Sequence, residues 1–251
     1  MLTPLTARTG EIYDPFRTNV RSKEGMKTTN GGKPRTQEKR ADILRAAARV
    51  FAAKGYHQAS MRDIARTTPA SLAGLYYHFA NKEEILFEIS ASTFDTVMEG
   101  AQAILDRGGD PETRLRAFVD NHLAYFAAHL TEMKVLSHES DSLTGERREQ
   151  IQERKRRYVA LAESLLASLD GNGQRGSKAQ ARETRLSTLA LFGMMNWIYT
   201  WYRPGGEAEP PAAASMPDDI RRISQLMSGI FLTGYAPGSG SRSHRAQAGS
   251  G

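Results

Sequence analysis

The stretch from Tyr56 to Phe79 reads YHQASMRDIARTTPASLAGLYYHF, and it concentrates the side chains best suited to a polyanionic partner. Hydroxyls stand at Ser71, Tyr76 and Tyr77, small side chains at Ala73 and Gly74, an imidazole at His78, and cations at Arg62 and Lys82. Small residues let a helix enter a DNA major groove closely, while hydroxyls and cations donate to phosphate oxygens. Groupings for covalent or metal chemistry are missing from the sequence. It contains no cysteine, no Gly-rich phosphate loop and no G-x-S-x-G elbow, so neither an enzyme nor a bound cofactor is expected. His122, His129 and His138 are seven and nine residues apart. On a helix, positions i and i+7 lie two turns apart, too far to share one metal ion, so no metal site is expected either.

Short helices must position the residues around Ser71. Ser60 and Asp63 form a capping box for a helix from Met61 to about Arg66, with Met61, Ile64 and Ala65 facing inward. A tight turn follows, and then a second short helix that Leu72 and Leu75 lock against the first. This combination is the requirement of a helix-turn-helix. Upstream, Thr36 caps a helix whose apolar face is Ile43, Leu44, Ala47, Val50 and Phe51, and Gly55 ends it. Downstream, Asn81 with Glu84 forms a second capping box, for a long helix to about Leu105.

Charge follows the same division. Residues 33 to 82 hold ten Lys or Arg against three Asp or Glu, a net +7, while the whole chain of 251 residues carries +6. The remainder is therefore near neutral. A small basic module joined to a larger neutral one fits this pattern, and so, on charge alone, does a solvated basic face.

The rest of the chain reads as helix after helix, with no convincing strand pair. Asp110-Pro111 starts a helix bearing Leu115, Phe118, Val119, His122, Leu123 and Phe126. Thr131 restarts the chain after a break near His129, and a charged helix runs from near Thr144 to about Leu169. Ser177 with Gln180 opens an apolar helix through Tyr202. Ser215 with Asp218 opens the last, which contains Ile220, Ile223, Leu226, Met227, Ile230 and Phe231. An all-α chain of about nine helices is expected. The longest apolar run, Leu186 to Tyr202, is 17 residues and carries Ser187, Thr188, Asn196 and Thr200. A span needs roughly 20 predominantly apolar residues, so this is read as a buried helix and no membrane partner is expected. The first residues show no apolar signal segment, which makes the cytoplasm the expected compartment.

Residues 36 to 87 resemble the DNA-binding domain of the TetR family of bacterial transcriptional regulators. The pieces ILRAAARVFAAKGYHQASMRDIA and SLAGLYYHFANKEEIL fall in the family's order and spacing. The resemblance implies an N-terminal three-helix domain at 36–87, with its helix-turn-helix at 60–79. A larger ligand-binding and dimerisation domain follows at 88–235. Composition by itself marks 1–35, ahead of the DNA-binding domain, as a disordered basic arm and the Gly/Ser-rich 236–251 as a disordered tail. The resemblance also implies operator-facing roles for Arg62, Ser71, Leu72, Ala73, Gly74, Tyr76, Tyr77, His78 and Lys82. Ser71, Ala73 and Gly74 would sit nearest base edges; Tyr76, Tyr77, His78 and Lys82 would grip phosphates. For Tyr77 the alternative is core packing and for His78 it is capping, while Phe79 is read as core. One departure stands out: Thr68-Pro69-Ala70 replaces the family's Ala-Gly-Val turn. Proline fixes φ near about −65°, so the turn must take another geometry.

What the resemblance implies for the larger domain is a homodimer formed through the last two long helices, a pseudo-palindromic operator of double-stranded DNA, and a small hydrophobic effector. The segment LFGMMNWIYTWYRPGG (191–206) looks like the corresponding helix of acyl-CoA-responsive members that control fatty-acid or steroid catabolism. Candidate effector residues are His122, Phe126, Met194, Trp197, Tyr199, Trp201, Tyr202 and Arg203; the alternative is a stripe of core and dimer contacts. The cluster Arg147, Arg148, Arg154, Lys155, Arg156 and Arg157 suits CoA phosphates, but its mixing with Glu146, Glu149 and Glu153 favours a solvated, ion-paired helix face. The expected function is a dimeric repressor released by an effector such as an acyl-CoA. Alternatives are an efflux regulator answering lipophilic drugs, and a TetR-fold chromosome-organising protein with no effector.

Overall fold

The computed structural model describes residues 33–169, 177–203 and 216–235, and all regular structure among them is helical. In chain order the helices are α1 (Lys33–Lys54), α2 (Met61–Arg66), α3 (Leu72–His78), α4 (Lys82–Asp106), α5 (Pro111–Ala128) and α6 (Leu130–Glu139). A 3-10 turn at Ser140–Ser142 follows, then α7 (Gly145–Leu169), α8 (Lys178–Asn196), α9 (Ile198–Trp201) and α10 (Asp218–Tyr235). The short α9 continues α8 after an interruption at Trp197, so counting the two as one broken helix gives the nine expected. The Trp197 carbonyl there accepts from both the N–H (3.1 Å) and the hydroxyl (2.7 Å) of Thr200. Such i→i+3 bonding tightens the backbone out of the α-helical course.

Most helix starts follow the local signals. Asp110 accepts from the Thr113 N–H at 2.8 Å, Ser177 accepts from the Gln180 N–H at 3.2 Å, and the Asn81 side chain accepts from the Glu84 N–H at 2.9 Å. Gly55 takes φ +79° and returns its N–H to Phe51 O at 2.8 Å, ending α1. One start differs. The first helix begins at Lys33 rather than after Thr36, because Pro34 falls in its first turn, where a missing N–H forfeits no helical bond. The expected cap Ser215, most of the arm at 1–35 and the tail at 236–251 lie outside the described residues.

The chain packs as two compact units. Of the described residues, the first unit holds 33–97 and 128–155, with Arg203, Met216 and Pro217; the second holds 98–127, 156–202 and 218–235. In the first, Ile43, Leu44, Ala47, Val50 and Phe51 of α1 are buried as their spacing predicts, together with Ile64, Leu75, Phe79, Ile85, Leu86 and Ile89. Val135, Leu143 and Ile151 complete this core, so α6 and the start of α7 help to bury the helix-turn-helix. In the second, α5 buries all six residues expected of it. The last helix turns a mixed line inward, Ile220, Ser224, Ser228 and Phe231, and leaves Leu226 and Ile230 exposed at 58% and 66%. Polar bonds accompany that inward line: Ser224 donates to Asp120, and Arg116 donates to Ser228. Among the described residues, no helix is long and apolar enough to cross a membrane, and no cluster of His, Asp or Glu could hold a metal ion.

Candidate DNA interface and effector site

The recognition segment is fixed by its caps. At α2 the box closes in both directions: the Asp63 N–H donates to Ser60 Oγ at 3.1 Å, and the Ser60 N–H donates to Asp63 Oδ2 at 3.0 Å. Lys54 adds a 2.8 Å bond to the same carboxylate. The Lys54 and Ser60 contacts hold the Asp63 carboxyl well below the usual carboxylate range.

Hydroxyls replace glycine in the turn. Thr67 Oγ1 donates to Ile64 O at 2.9 Å, Thr68 Oγ1 donates to Ala65 O at 3.3 Å, and the Ala70 N–H donates to Thr68 Oγ1 at 3.3 Å. Thr67 closes α2 at φ −103°, ψ 3°, so the helix ends without a left-handed residue at its cap.

Ser71 then caps α3, accepting from the Gly74 N–H at 3.1 Å, and its own proton remains to donate outward. Leu75 is fully buried and Leu72 packs on the core, so the helix has one inward line. Ser71, Ala73, Tyr76 and Tyr77 lie on the exposed side, with Tyr77 82% exposed, and Arg62 is exposed on α2.

A clasp secures the far end of α3. The Arg40 side chain donates to His78 O at 2.6 Å, pairs with both carboxylate oxygens of Glu88, and lies over the Phe79 ring at 4.1 Å. Burial, followed by the charges of Arg40 and Lys39, lowers the His78 pKa and leaves its ring neutral at pH 7. Lys82 lies on the neighbouring corner, where its ammonium donates to the carbonyls of Tyr56 (2.8 Å), His57 (3.2 Å) and Ala59 (3.0 Å). In this state Lys82 fastens the loop between α1 and α2. Glu83 accepts from the N–H and hydroxyl of Thr144 and pairs with Arg147 at 3.4 Å, while Arg154 pairs with Asp95 at 2.9 Å. Two of the clustered arginines are therefore tied to α4.

In the second unit, His122 and Phe126 come together as the sequence suggested, with rings stacked at 4.2 Å. His122 is buried, and its ring nitrogens meet Tyr158 Oη at 3.0 Å and Asn196 Oδ1 at 3.2 Å. Burial pushes the His122 pKa down to about 3 and raises that of the Tyr158 phenol, so both are neutral. The rings of Phe118, Tyr158 and Phe192 pack against one another at centroid distances of 5.4 to 6.2 Å.

The other effector candidates separate. Tyr202 is buried and donates to Asp219 at 3.3 Å; Met194 and Tyr199 are half-buried; Arg203, Trp197 and Trp201 are exposed, the two indoles at 64% and 48%. Sequence reasoning missed Tyr158, Phe192 and Asn196 as partners of His122. Tyr158 sits in a helix that reads as charged, and its partner is 36 residues away, beyond any local signal.

Two family descriptions match the chain: "Bacterial regulatory proteins, tetR family" over residues 43–89, and "Tetracyclin repressor-like, C-terminal domain" over residues 108–220. The transcriptional activator FasR of Mycolicibacterium smegmatis is 34% identical over 107 residues, which are 41% of this chain and 49% of FasR. The chain thus spans about half the length of that relative. The transcriptional repressor KstR2 of Mycobacterium tuberculosis is 24% identical over 67% of this chain and 83% of its own. Among solved structures, AibR without ligand superposes with a TM-score of 0.58 at 30% identity, covering 76% of this chain and 97% of AibR. AibR bound to isovaleryl coenzyme A and operator DNA gives 0.61 at 28%, with the same coverage. With both halves matched in order and the helix-turn-helix built as described, the chain belongs to the TetR family: it is a DNA-binding transcriptional regulator, not an enzyme.

Proposed function

We propose that the protein acts as a homodimer on a pseudo-palindromic operator and is released from it by a hydrophobic effector such as an acyl-CoA. One observation carries the DNA side of this reading: α3 is capped by Ser71, clasped by Arg40, and exposes Ser71, Ala73, Tyr76 and Tyr77 along one side. Ser71, Ala73 and Gly74 approach base edges; Tyr76, Tyr77 and Arg62 contact phosphates. Lys82 acts chiefly through the backbone carbonyls it holds, and His78 through its own carbonyl, which Arg40 clasps. A regulator of this kind works where the chromosome is, in the cytoplasm and on the nucleoid.

The dimer reading draws on the exposed apolar residues Leu186 and Leu189 of α8 and Leu226 and Ile230 of α10. A second copy covering them forms a four-helix interface, and two-fold symmetry then sets two recognition helices about one DNA turn apart. The effector reading draws on the aromatic shell around His122, and on AibR, whose structure holds an acyl-CoA with operator DNA. Among the relatives, FasR is an activator and KstR2 a repressor. Mechanistically, the effector shifts the dimer toward a state whose helix spacing mismatches the half-sites, by its differential affinity for the two states.

Fluorescence anisotropy on the chain's own upstream DNA, at stated salt, tests the reading. Release by acyl-CoAs supports it. Tight binding with no release by acyl-CoAs, but release by lipophilic drugs, moves the protein to the efflux class, and binding insensitive to both favours an effector-free role.

A further inference from the structure

His122 is the least economical residue in the second unit. Its ring is buried among aromatic rings: Phe126 stacked at 4.2 Å, Tyr158 nearly parallel at 5.9 Å, and Phe192 at 5.9 Å. A phenylalanine would fill that space without two nitrogens that must each find a partner, and a buried polar group left without one is destabilising. The partners found are unlike each other. Asn196 Oδ1 can only accept, so the imidazole proton sits on Nε2, which donates to it at 3.2 Å. The bare Nδ1 then accepts from the Tyr158 hydroxyl at 3.0 Å. Asn196 is an exposed residue, the last of α8, beside the break at Trp197. Its side chain can swing into water, whereas the Tyr158 hydroxyl cannot. One N–H donor, inside an apolar shell, is thus closed by a removable acceptor.

We propose that this Tyr158–His122–Asn196 chain is the polar end of the effector site, and that it receives an uncharged carbonyl oxygen (ketone, amide or thioester) on an apolar body. The inference rests on the effector-responsive reading above and narrows it. The ligand oxygen takes the place of Asn196 Oδ1 at Nε2–H, and the apolar body lies on Phe126 and Phe192. A free carboxylate is refused. The chain offers it only neutral donors, and burying a charge without a countercharge costs far more than burying a carbonyl.

Calorimetry on the full chain with 2-tridecanone, dodecanamide, dodecanoyl-CoA and dodecanoate tests this, with operator release followed in parallel. The ketone, amide and thioester bind and release DNA, and dodecanoate binds at least about tenfold more weakly. His122→Phe lowers binding of all three by about tenfold, the worth of one hydrogen bond, and His122→Gln, which keeps an N–H donor, recovers part of it. Asn196→Ala, at an exposed position, tightens ketone binding because no side chain need be displaced. In the wild-type chain, the 15N resonance of His122 Nε2 shifts on ketone binding.

Equal binding of dodecanoate, or binding unchanged in His122→Phe, overturns the site assignment while leaving the effector reading standing. Failure of all four compounds to bind a chain that still holds its operator overturns the carbonyl assignment and the acyl reading together, and spares the DNA reading.

Discussion

Arg40 in α1 donates a 2.6 Å hydrogen bond to the carbonyl of His78, the last residue of the recognition helix. A helix C-terminus leaves carbonyls without partners and carries partial negative charge, so a guanidinium there both satisfies an acceptor and meets the dipole favourably. The same side chain pairs with Glu88, which joins three helices at one point. Removing it frees the end of α3 without touching the caps at its start. Arg40→Ala lowers operator affinity by about tenfold, from charge-assisted bonds of roughly 1.5 kcal/mol or more. Arg40→Lys, which keeps the cation over Phe79 but loses the forked pairing, falls between. Circular dichroism on both variants checks that helical content is kept, and unchanged operator affinity would show that the clasp does not orient the helix.

Gly74 separates folding from recognition. A Cβ built there meets Ser71 Oγ at 3.3 Å and Ala70 Cβ at 3.8 Å, so alanine needs only a small adjustment. Alanine also favours a helix by roughly 0.5–1 kcal/mol over glycine. Gly74→Ala therefore keeps or raises the melting temperature. On the proposed groove contact it weakens operator binding several-fold while leaving binding to random DNA unchanged. Anisotropy against operator and random duplexes, beside a thermal melt, reads both.

Stability should fall on mild acidification through His122. Its pKa is lowered from 6.5 to about 3 in the folded chain, so the unfolded chain binds the extra proton first. The stability this contributes is full above pH 6.5 and is lost as pH falls from there toward the folded value. Between pH 7 and pH 5 the loss is about 2 kcal/mol, at about 1.4 kcal/mol per pH unit below the unfolded value. His78, also lowered, adds in the same direction. Urea midpoints at the two pH values measure this, and His122→Phe flattens most of the difference.

Ile230, 66% exposed on α10, tests the proposed dimer. Ile230→Glu sets two carboxylates against each other across a two-fold axis. The expected result is a monomer by sedimentation velocity, with helical content kept and operator affinity greatly reduced. The chain's two tryptophans give a second readout. Trp197 lies eleven residues beyond Leu186, on the same helical stripe, so its emission shifts to the blue as the wild-type dimer forms and does not shift in the variant.

The helices were legible in the sequence because their signals are local. The Ser60–Asp63 box and the Asp110 cap act across three residues and form as expected, whereas at Asn81–Glu84 only the Asn81 half of the box forms and the Glu84 carboxylate takes the Ala80 N–H instead. The buried faces of α1 and α5 follow from helical period alone. The exposed residues of the recognition helix were legible too, since its inward line is only Leu72 and Leu75. Period also indicated that α10 is amphipathic, but it could not say that Ser224 and Ser228 face inward while Leu226 and Ile230 face out. That choice depends on Asp120 and Arg116 in α5, more than a hundred residues away.

By itself, then, the sequence determined the fold class, the helix-turn-helix and the family, because each rests on contacts a few residues apart or on motifs in fixed order. Only the tertiary structure decided which partner each polar group takes. Arg40 reaches Glu88 across 48 residues, His122 reaches Tyr158 across 36 and Asn196 across 74. It also parted the aromatic segment 197–202, turning Tyr202 inward and both indoles out. The reason is physical: a cap is satisfied within its own turn, whereas a guanidinium, an imidazole or an indole finds its surroundings only once separate helices have packed together.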